Sequence, residues 1–530
     1  MLRRHFLMGA TTAASPKLIT NITDINNLGS GYLRMVFNIK TFGAIGDGSS
    51  HPANNRFATL AACQAVYPAA TSLNQELDFL SIQLALNTAT QFGGGVVYVT
   101  PGSYLLSAPG LAWNGTTVAL IGAGPRVSIL KCYNCGTFPA ISLTSPTLVS
   151  GDGFVAVSNI GLWGFNDSVH IGGTQNSNGV AHTAFQSGSR AIYLSSIITI
   201  NFENVAFFNF DVPTDFDVIK GNVWNIRFDS CMFSYNNKGF VVNAAAPNAF
   251  ERMVWLNCVS GNNNYGAYFN FTDKPSVGGA SQGADAYLDG CAIDYNVLWT
   301  VYYLGGTSAG NDIVNMLGIS NCHLETSTTT SGSVNPRIFN DGNLTMRGCM
   351  GYEGATNPVG WITGSYYART TVHGCLVPGV GSPGIPIYYS TGTSAGYIRG
   401  GGNMNRYGGD AMLIQDQTGC RMDTPADDLA ASIITSGPIQ TSYAIQRRIN
   451  ILTANSVAYP IQVLEDSIAN HMIGIIISFV TTGTSQWTFV PDSGVIITST
   501  GTSLSFGGAG KKVFLTKTAS STWLAYGEMT

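Results

Sequence analysis

"SNCHLET", residues 320–326, is one version of a segment that recurs along the chain. Its counterparts are "SNIGLWG" from 158, "ENVAFFN" from 203, "DSCMFSY" from 229, "LNCVSGN" from 256, "DGCAIDY" from 289, "RGCMGYE" from 347 and "HGCLVPG" from 373. Each sets a small or Asn-type residue, and then an apolar one. The residues in register are Ile160, Val205, Cys231, Cys258, Cys291, Cys322, Cys349 and Cys375, with spacings of 45, 26, 27, 33, 31, 27 and 26. A period of this size marks a solenoid, whose turns cannot each bury an inner face alone and therefore stack. Six Cys in one register position predict an internal column of small apolar side chains. Neighbouring rungs rise ~4.8 Å, which suits packed free thiols without disulfides.

Composition agrees with this reading. Charged residues make up 10% of the chain and Gly numbers 63, against roughly 25% charged residues in an ordinary soluble domain. Low charge with many Gly, Asn, Ser and Thr suits an all-β chain rich in tight turns. Net charge is −4, without the basic stripe a nucleic-acid partner requires, and a polysaccharide is the better match. The longest apolar run, "IGIIISFV" (473–480), falls short of the ~18 residues of a spanning helix, so no membrane span is expected. "CYNC" (Cys132, Cys135) is a single CxxC with no partner pair, too little for a zinc site. No metal and no cofactor is expected.

Ahead of the coils, "VFNIKTFGAIGDG" (36–48), "ELDFLSIQLALNTA" (76–89) and "GGGVVYVTPGSYLLS" (93–107) read as strand, turn, helix, turn and strand. Asp78 is the expected N-cap, and Phe79, Ile82 and Leu86 line one helix face. Pro101-Gly102 makes a turn. These blocks resemble the start of the pectate-lyase-like right-handed parallel β-helix family, over about 50 positions. The resemblance implies a right-handed parallel β-helix closed by an N-terminal capping helix. It also implies that Asp47 and its glycines are turn and cap residues. One departure is the insertion at 49–75, of a kind familiar in phage tail proteins with this fold.

"MLRRHFLMGATTAAS" at the N-terminus resembles a twin-arginine export signal through Arg3 and Arg4. The alternative is an adaptor segment that attaches the protein to a larger assembly such as a phage tail. The expected organisation is 1–35 as this segment, 36–404 as the β-helix, 405–445 as a connection and 446–530 as a small β-sandwich. Strands spaced by 8 to 12 residues suggest the sandwich. The run from "TFVPDSGVIITS" onward resembles C-terminal modules of phage tail fibres and tailspikes, which implies a trimerisation or carbohydrate-binding tip.

Side chains alternate along a strand. With the register Cys inward, the residues one and three further on face solvent. The third column then reads Ser234, Gly261, Asp294, Glu325, Tyr352 and Pro378. Asp294 and Glu325 become neighbours on adjacent rungs, with His323 on the same face and Glu353 one rung further. Stacked like charges are destabilising, so a paired placement points to use. Two nearby carboxylates are what glycoside hydrolysis needs, one as acid and the other to activate water or attack the sugar. Expected catalytic residues are Glu325, Asp294, His323 and Glu353; expected substrate-binding residues are Tyr352, Trp299, Tyr302 and Arg347. A lyase stays open, with His323 and Arg347 as base and uronate partner. A rival acidic group is Asp211, Asp215, Asp217, Asp229 and Glu251. Aromatic residues cluster at Trp299, Tyr302 and Tyr303, and again at Trp361, Tyr366 and Tyr367; exposed rings stack on sugars.

Three readings follow. One is a homotrimeric tailspike-like depolymerase that cleaves a bacterial surface polysaccharide, on a virion tail or outside the cell. Another is an exported bacterial polysaccharide hydrolase or lyase. The third is a fibre or adhesin that binds glycan without cleaving it.

Overall fold

The computed structural model describes residues 35–529 apart from 114–115, 134–135, 137, 165–184, 217–222, 244–249, 272–283, 306–314, 327–337, 354–360, 365–367, 378–387, 391–396, 402, 406–413, 417–420, 423–431, 435–438, 441–448, 453–458 and 464–475. The signal-like segment therefore lies outside the described residues, as do Cys135, Asp217, Tyr366 and Tyr367.

Three long sheets of 15, 11 and 7 strands make up the main unit, and every pairing within them is parallel. From Lys238–Asn243 onward, where the third sheet begins, the coils visit them in turn. Ala284–Asp289 lies in the first sheet, Ala292–Asn296 in the second and Trp299–Leu304 in the third, and Met316–Ser320 opens the next coil. The chain is thus a parallel β-helix. The coils persist to Arg421–Met422, past the expected end at 404.

The repeat is legible in the bends. Between the first and second sheets, Asn159, Asn204, Ser230, Asn257, Gly290, Asn321, Gly348 and Gly374 all have φ between 49° and 63°. This left-handed region costs an ordinary L-residue about 1–2 kcal/mol and suits Asn and Gly. At Gly290 a Cβ would come within 2.7 Å of Asn257 Oδ1. The next residue points inward in each coil, as Ile160, Val205 and then the six Cys of the register. All six are free and at most 1% exposed. Their thiols donate to main-chain carbonyls, as Cys258 does to Phe228 O at 3.4 Å and Cys291 to Trp255 O at 3.3 Å. Burial holds the Cys258 thiol well above its ordinary range. Deeper in the core, Phe202, Phe228 and Trp255 stack rung upon rung at 5.0 and 5.5 Å.

The bend from second to third sheet carries a ladder of buried amides. Asn236, Asn263 and Asn296 are at most 2% exposed. Phe210 N donates to Asn236 Oδ1, Asn236 N to Asn263 Oδ1 and Asn263 N to Asn296 Oδ1, at 2.9, 2.8 and 3.0 Å. Each side chain thus satisfies the main chain of the preceding coil, where an unpaired buried amide would be costly.

The helix Leu77–Gln91 closes the N-terminal end, with Phe79, Ile82 and Leu86 buried. Asp78 is not its N-cap; Glu76 holds that position. Asp78 is 1% exposed and accepts from Ile45 N at 2.6 Å, Gly46 N at 3.1 Å and Leu105 N at 3.2 Å. It ties the opening turn and the strand after Pro101-Gly102 to the helix. Sequence spacing suggested a local cap where the partners lie about thirty residues away. Asp47 accepts from Ser49 N at 2.8 Å, as a turn residue does, and pairs with His51 at 2.9 Å.

The C-terminal unit begins at Ser432–Ile434, ahead of the expected 446, and has sheets of six and four strands around one core that includes Phe479, Trp487, Phe489 and Trp523. Its first strands pair in parallel, alternating between the two sheets, and its last pair mainly antiparallel. The expected pair of layers is there, with mixed sheets.

Candidate active site

Asp294, His323 and Glu325 meet on the outer face of the second sheet. Ala292 pairs with His323 and Ile293 with Leu324, which turns Asp294 and Glu325 outward while Ile293 and Leu324 fill the core. His323 Nδ1 lies 3.0 Å from Asp294 Oδ1, with side chains 30% and 22% exposed. One donor atom from each of the three lies within 4.8 Å of the others, close enough to hold a metal ion as well.

The electrostatics follow from this packing. The hydrogen bond to Asp294 raises the His323 pKa, against the opposing pull of burial. Burial raises the Glu325 carboxyl, and the Asp294 charge raises it further; His323 and a hydrogen bond from Tyr295 partly offset them. Glu325 thus retains its proton to higher pH than an ordinary glutamate, beside a second carboxylate.

Tyr295 was missed by strict alternation, which points it inward. The pairing register shifts between Ile293 and Asn296, and Tyr295 has φ 55°. That single left-handed residue leaves Tyr295 half-buried beside Glu325 while Asn296 returns inward to the ladder. The same position holds Asn209, Tyr235 and Asn262 in earlier coils, all with positive φ. The Asn two residues after Ser234, Gly261 and Asp294 was the available signal for this bend. Tyrosine there is uncommon and strained.

The other expected site residues are distributed more widely. Tyr352 and Glu353 pair in register with Glu325 and Thr326, one rung on, and their side chains lie outside the described residues. Arg347 is not with the trio. It ends a strand of the first sheet, across the bend at Gly348, and is exposed. Trp299 and Tyr302 lie on the outer face of the third sheet, reached through the tight turn after Asn296. Tyr302 cannot offer a ring face to a sugar. Tyr268 stacks on one side at 5.6 Å and Phe339 on the other at 5.0 Å, from the two adjoining rungs. Lys238 Nζ caps this column 4.1 Å from the Tyr268 centroid. Trp299 is tilted 54° from Tyr302, and its register partner Tyr265 by 65°. These two rings stand out of the stack.

Among the rival acids, Asp215 pairs with Arg190 at 2.9 Å and Asp229 with Arg227. Asp211 accepts from Gly188 N at 2.7 Å and Asn237 Nδ2 at 2.7 Å. Each is engaged in ordinary structural contacts. The side chain of Glu251 lies outside the described residues.

No protein-family model matches the chain, and no curated protein matches it. Several solved structures are similar in fold. A tailspike protein from Pseudomonas phage LKA1 aligns at 13% identity and TM-score 0.42, over 87% of this chain and 80% of that one. The catalytic unit of an alpha-1,3-glucanase from Streptomyces thermodiastaticus aligns at 13% identity and TM-score 0.41, over 82% and 65%. PfbA, a surface adhesin of Streptococcus pneumoniae, aligns at 10% identity and TM-score 0.38, over 94% and 98%. Likeness at this level says nothing about activity. The β-helix itself is seen directly in the strand pairings.

Proposed function

We propose that the protein is a tailspike-like polysaccharide depolymerase that hydrolyses glycosidic bonds at Asp294 and Glu325. The observation that supports this best is the pairing of two half-buried carboxylates within 4.8 Å, one with a raised pKa. In this reading Glu325 is the general acid that protonates the leaving oxygen. Asp294, held by His323, stabilises the oxocarbenium-like transition state or attacks the anomeric carbon. The spacing lies nearer the ~5–5.5 Å of retaining enzymes than the ~6.5–9.5 Å that admits an inverting water. Tyr295 fixes the Glu325 carboxyl. Trp299 and Tyr265 offer ring faces to neighbouring sugars.

A lyase builds negative charge on a uronate and needs a cation to neutralise it. Two carboxylates oppose that charge and favour a developing cation, so the site supports hydrolysis over elimination. A homotrimer on a virion tail or outside the cell goes with this reading, supported by the resemblance of the C-terminal strands to tail-fibre modules. The test is incubation of the full chain with bacterial capsular and O-antigen polysaccharides, followed by size-exclusion chromatography. Shortened polymers with saturated ends and retained anomeric configuration are expected, and Glu325→Gln removes the activity. New ends that absorb as unsaturated uronates would instead select a lyase. Binding without shortening would select an adhesin.

A further inference from the structure

We infer that the sugar seated against Asp294 and Glu325 carries no negative charge, so the ligand class is a glycan of neutral hexoses or N-acetylated amino sugars. The inference rests on the placement of the site proposed above. Three observations carry it.

The first is the sign of the site. Asp294 and Glu325 outnumber the one cationic group among them, and His323 already directs Nδ1 to Asp294 at 3.0 Å. A uronate or sulfate at the same place would set a further anion within a few ångströms of the Asp294 carboxylate and oppose ionisation of Glu325 as it gives up its proton, in a partly dry wall where Coulomb repulsion is poorly screened.

The second is where the cations lie. Arg190 is held by Asp215 at 2.9 Å, where Phe210–Phe216 pairs with Gln186–Glu203 in the first sheet. Lys238 sits over the Tyr268 ring, with Asp211 and Asp215 as its nearest charges. Arg347 is across the bend on the first sheet. The groups that act on His323 and Glu325 are Asp294, Tyr295 and each other.

The third is the surroundings. In register with the trio stand Val259 and Gly261 two rungs before, Ala292 one rung before and Met350 one rung after His323. Val259 is 36% exposed and Met350 43% exposed. Five residues beyond Asp294 come Trp299 and the aromatic column. Apolar side chains beside two carboxylates, with rings on the adjoining sheet, suit the C–H faces and hydroxyl groups of an uncharged sugar.

The test uses the full chain and a library of acidic bacterial polysaccharides, each in native and carboxyl-reduced form, alongside neutral polysaccharides. Shortening is read by size exclusion, and binding by calorimetry on Glu325→Gln. The expected result is that neutral and carboxyl-reduced polymers are bound and shortened, while native acidic forms bind at least about tenfold more weakly. Asp294→Asn should narrow that gap by strengthening acidic binding relative to neutral binding. A native acidic polymer bound more tightly than its carboxyl-reduced form overturns the inference, as does failure to bind any neutral polymer. The two proposals fail separately. Preferential neutral binding without shortening sinks hydrolysis and leaves the ligand class standing. Shortening of native acidic polymers to saturated ends does the reverse.

Discussion

Asn263 offers a direct test of what holds the coils in register. Its side chain is fully buried. Oδ1 accepts from Asn236 N at 2.8 Å, and Nδ2 donates to Phe233 O and Ser260 Oγ, both at 3.0 Å. Asn263→Ala leaves an amide N–H and a carbonyl of the preceding coil without these partners. A buried polar group left unpaired costs about 1–3 kcal/mol, and a water entering the vacated space recovers part of it. The two groups together therefore cost roughly 3 kcal/mol. Every 1.4 kcal/mol is tenfold, so local protection should fall about a hundredfold. Hydrogen exchange followed by mass spectrometry reads this directly. The amide of Asn236 should lose that protection, while the amides of the helix Leu77–Gln91 keep theirs, since solenoid coils contact only their neighbours. Unchanged exchange at Asn236 would falsify the claim that the ladder carries the bend.

Four further outcomes are expected. Glu325→Gln and Asp294→Asn should each lower depolymerisation by about 10²–10⁴-fold, read from polymer length against time. Tyr295→Phe keeps the ring and removes the hydroxyl; kcat should fall several-fold with little change in KM, and the alkaline limb of the pH profile should move. His323 and Glu325 both have raised pKa values, so the folded state binds more protons than the unfolded one from about pH 4.5 to above 6.5. Stability contributed by His323 is complete below its unfolded pKa and is lost as pH rises through the folded value; Glu325 acts in the same direction. Denaturation midpoints should fall across that window, and less so in Asp294→Asn. Asp78→Ala removes three hydrogen bonds to a buried carboxylate and should cost about 4 kcal/mol, seen as early proteolysis of the N-terminal end.

The core was legible because it repeats. The Cys register, the inward Ile293 and Leu324, and the outward Asp294, His323 and Glu325 all follow from period-two alternation between bends of fixed length. The placement of Tyr295 was not legible, because one left-handed residue reverses the alternation for a single step. Asp78 was misread for a related reason, since its partners are near in space and distant in sequence. The stacking that closes both faces of Tyr302 depends on its neighbours two coils apart. In the C-terminal unit, short strands at even spacing look alike whether successive strands pair or alternate between two sheets, so the parallel pairings were hidden.

The one-residue bend at Asn159, Asn204, Ser230, Asn257, Gly290, Asn321, Gly348 and Gly374 has a consequence for how such a chain changes length. Each corner is completed by its own coil and the coils on either side, so a whole coil can be duplicated or deleted with both new junctions satisfied. The trio is drawn from just two coils, those of Cys291 and Cys322. Coils nearer the N-terminus are therefore free to vary in number. Evolution can set how far the site stands from the capping helix, and leave the chemistry untouched.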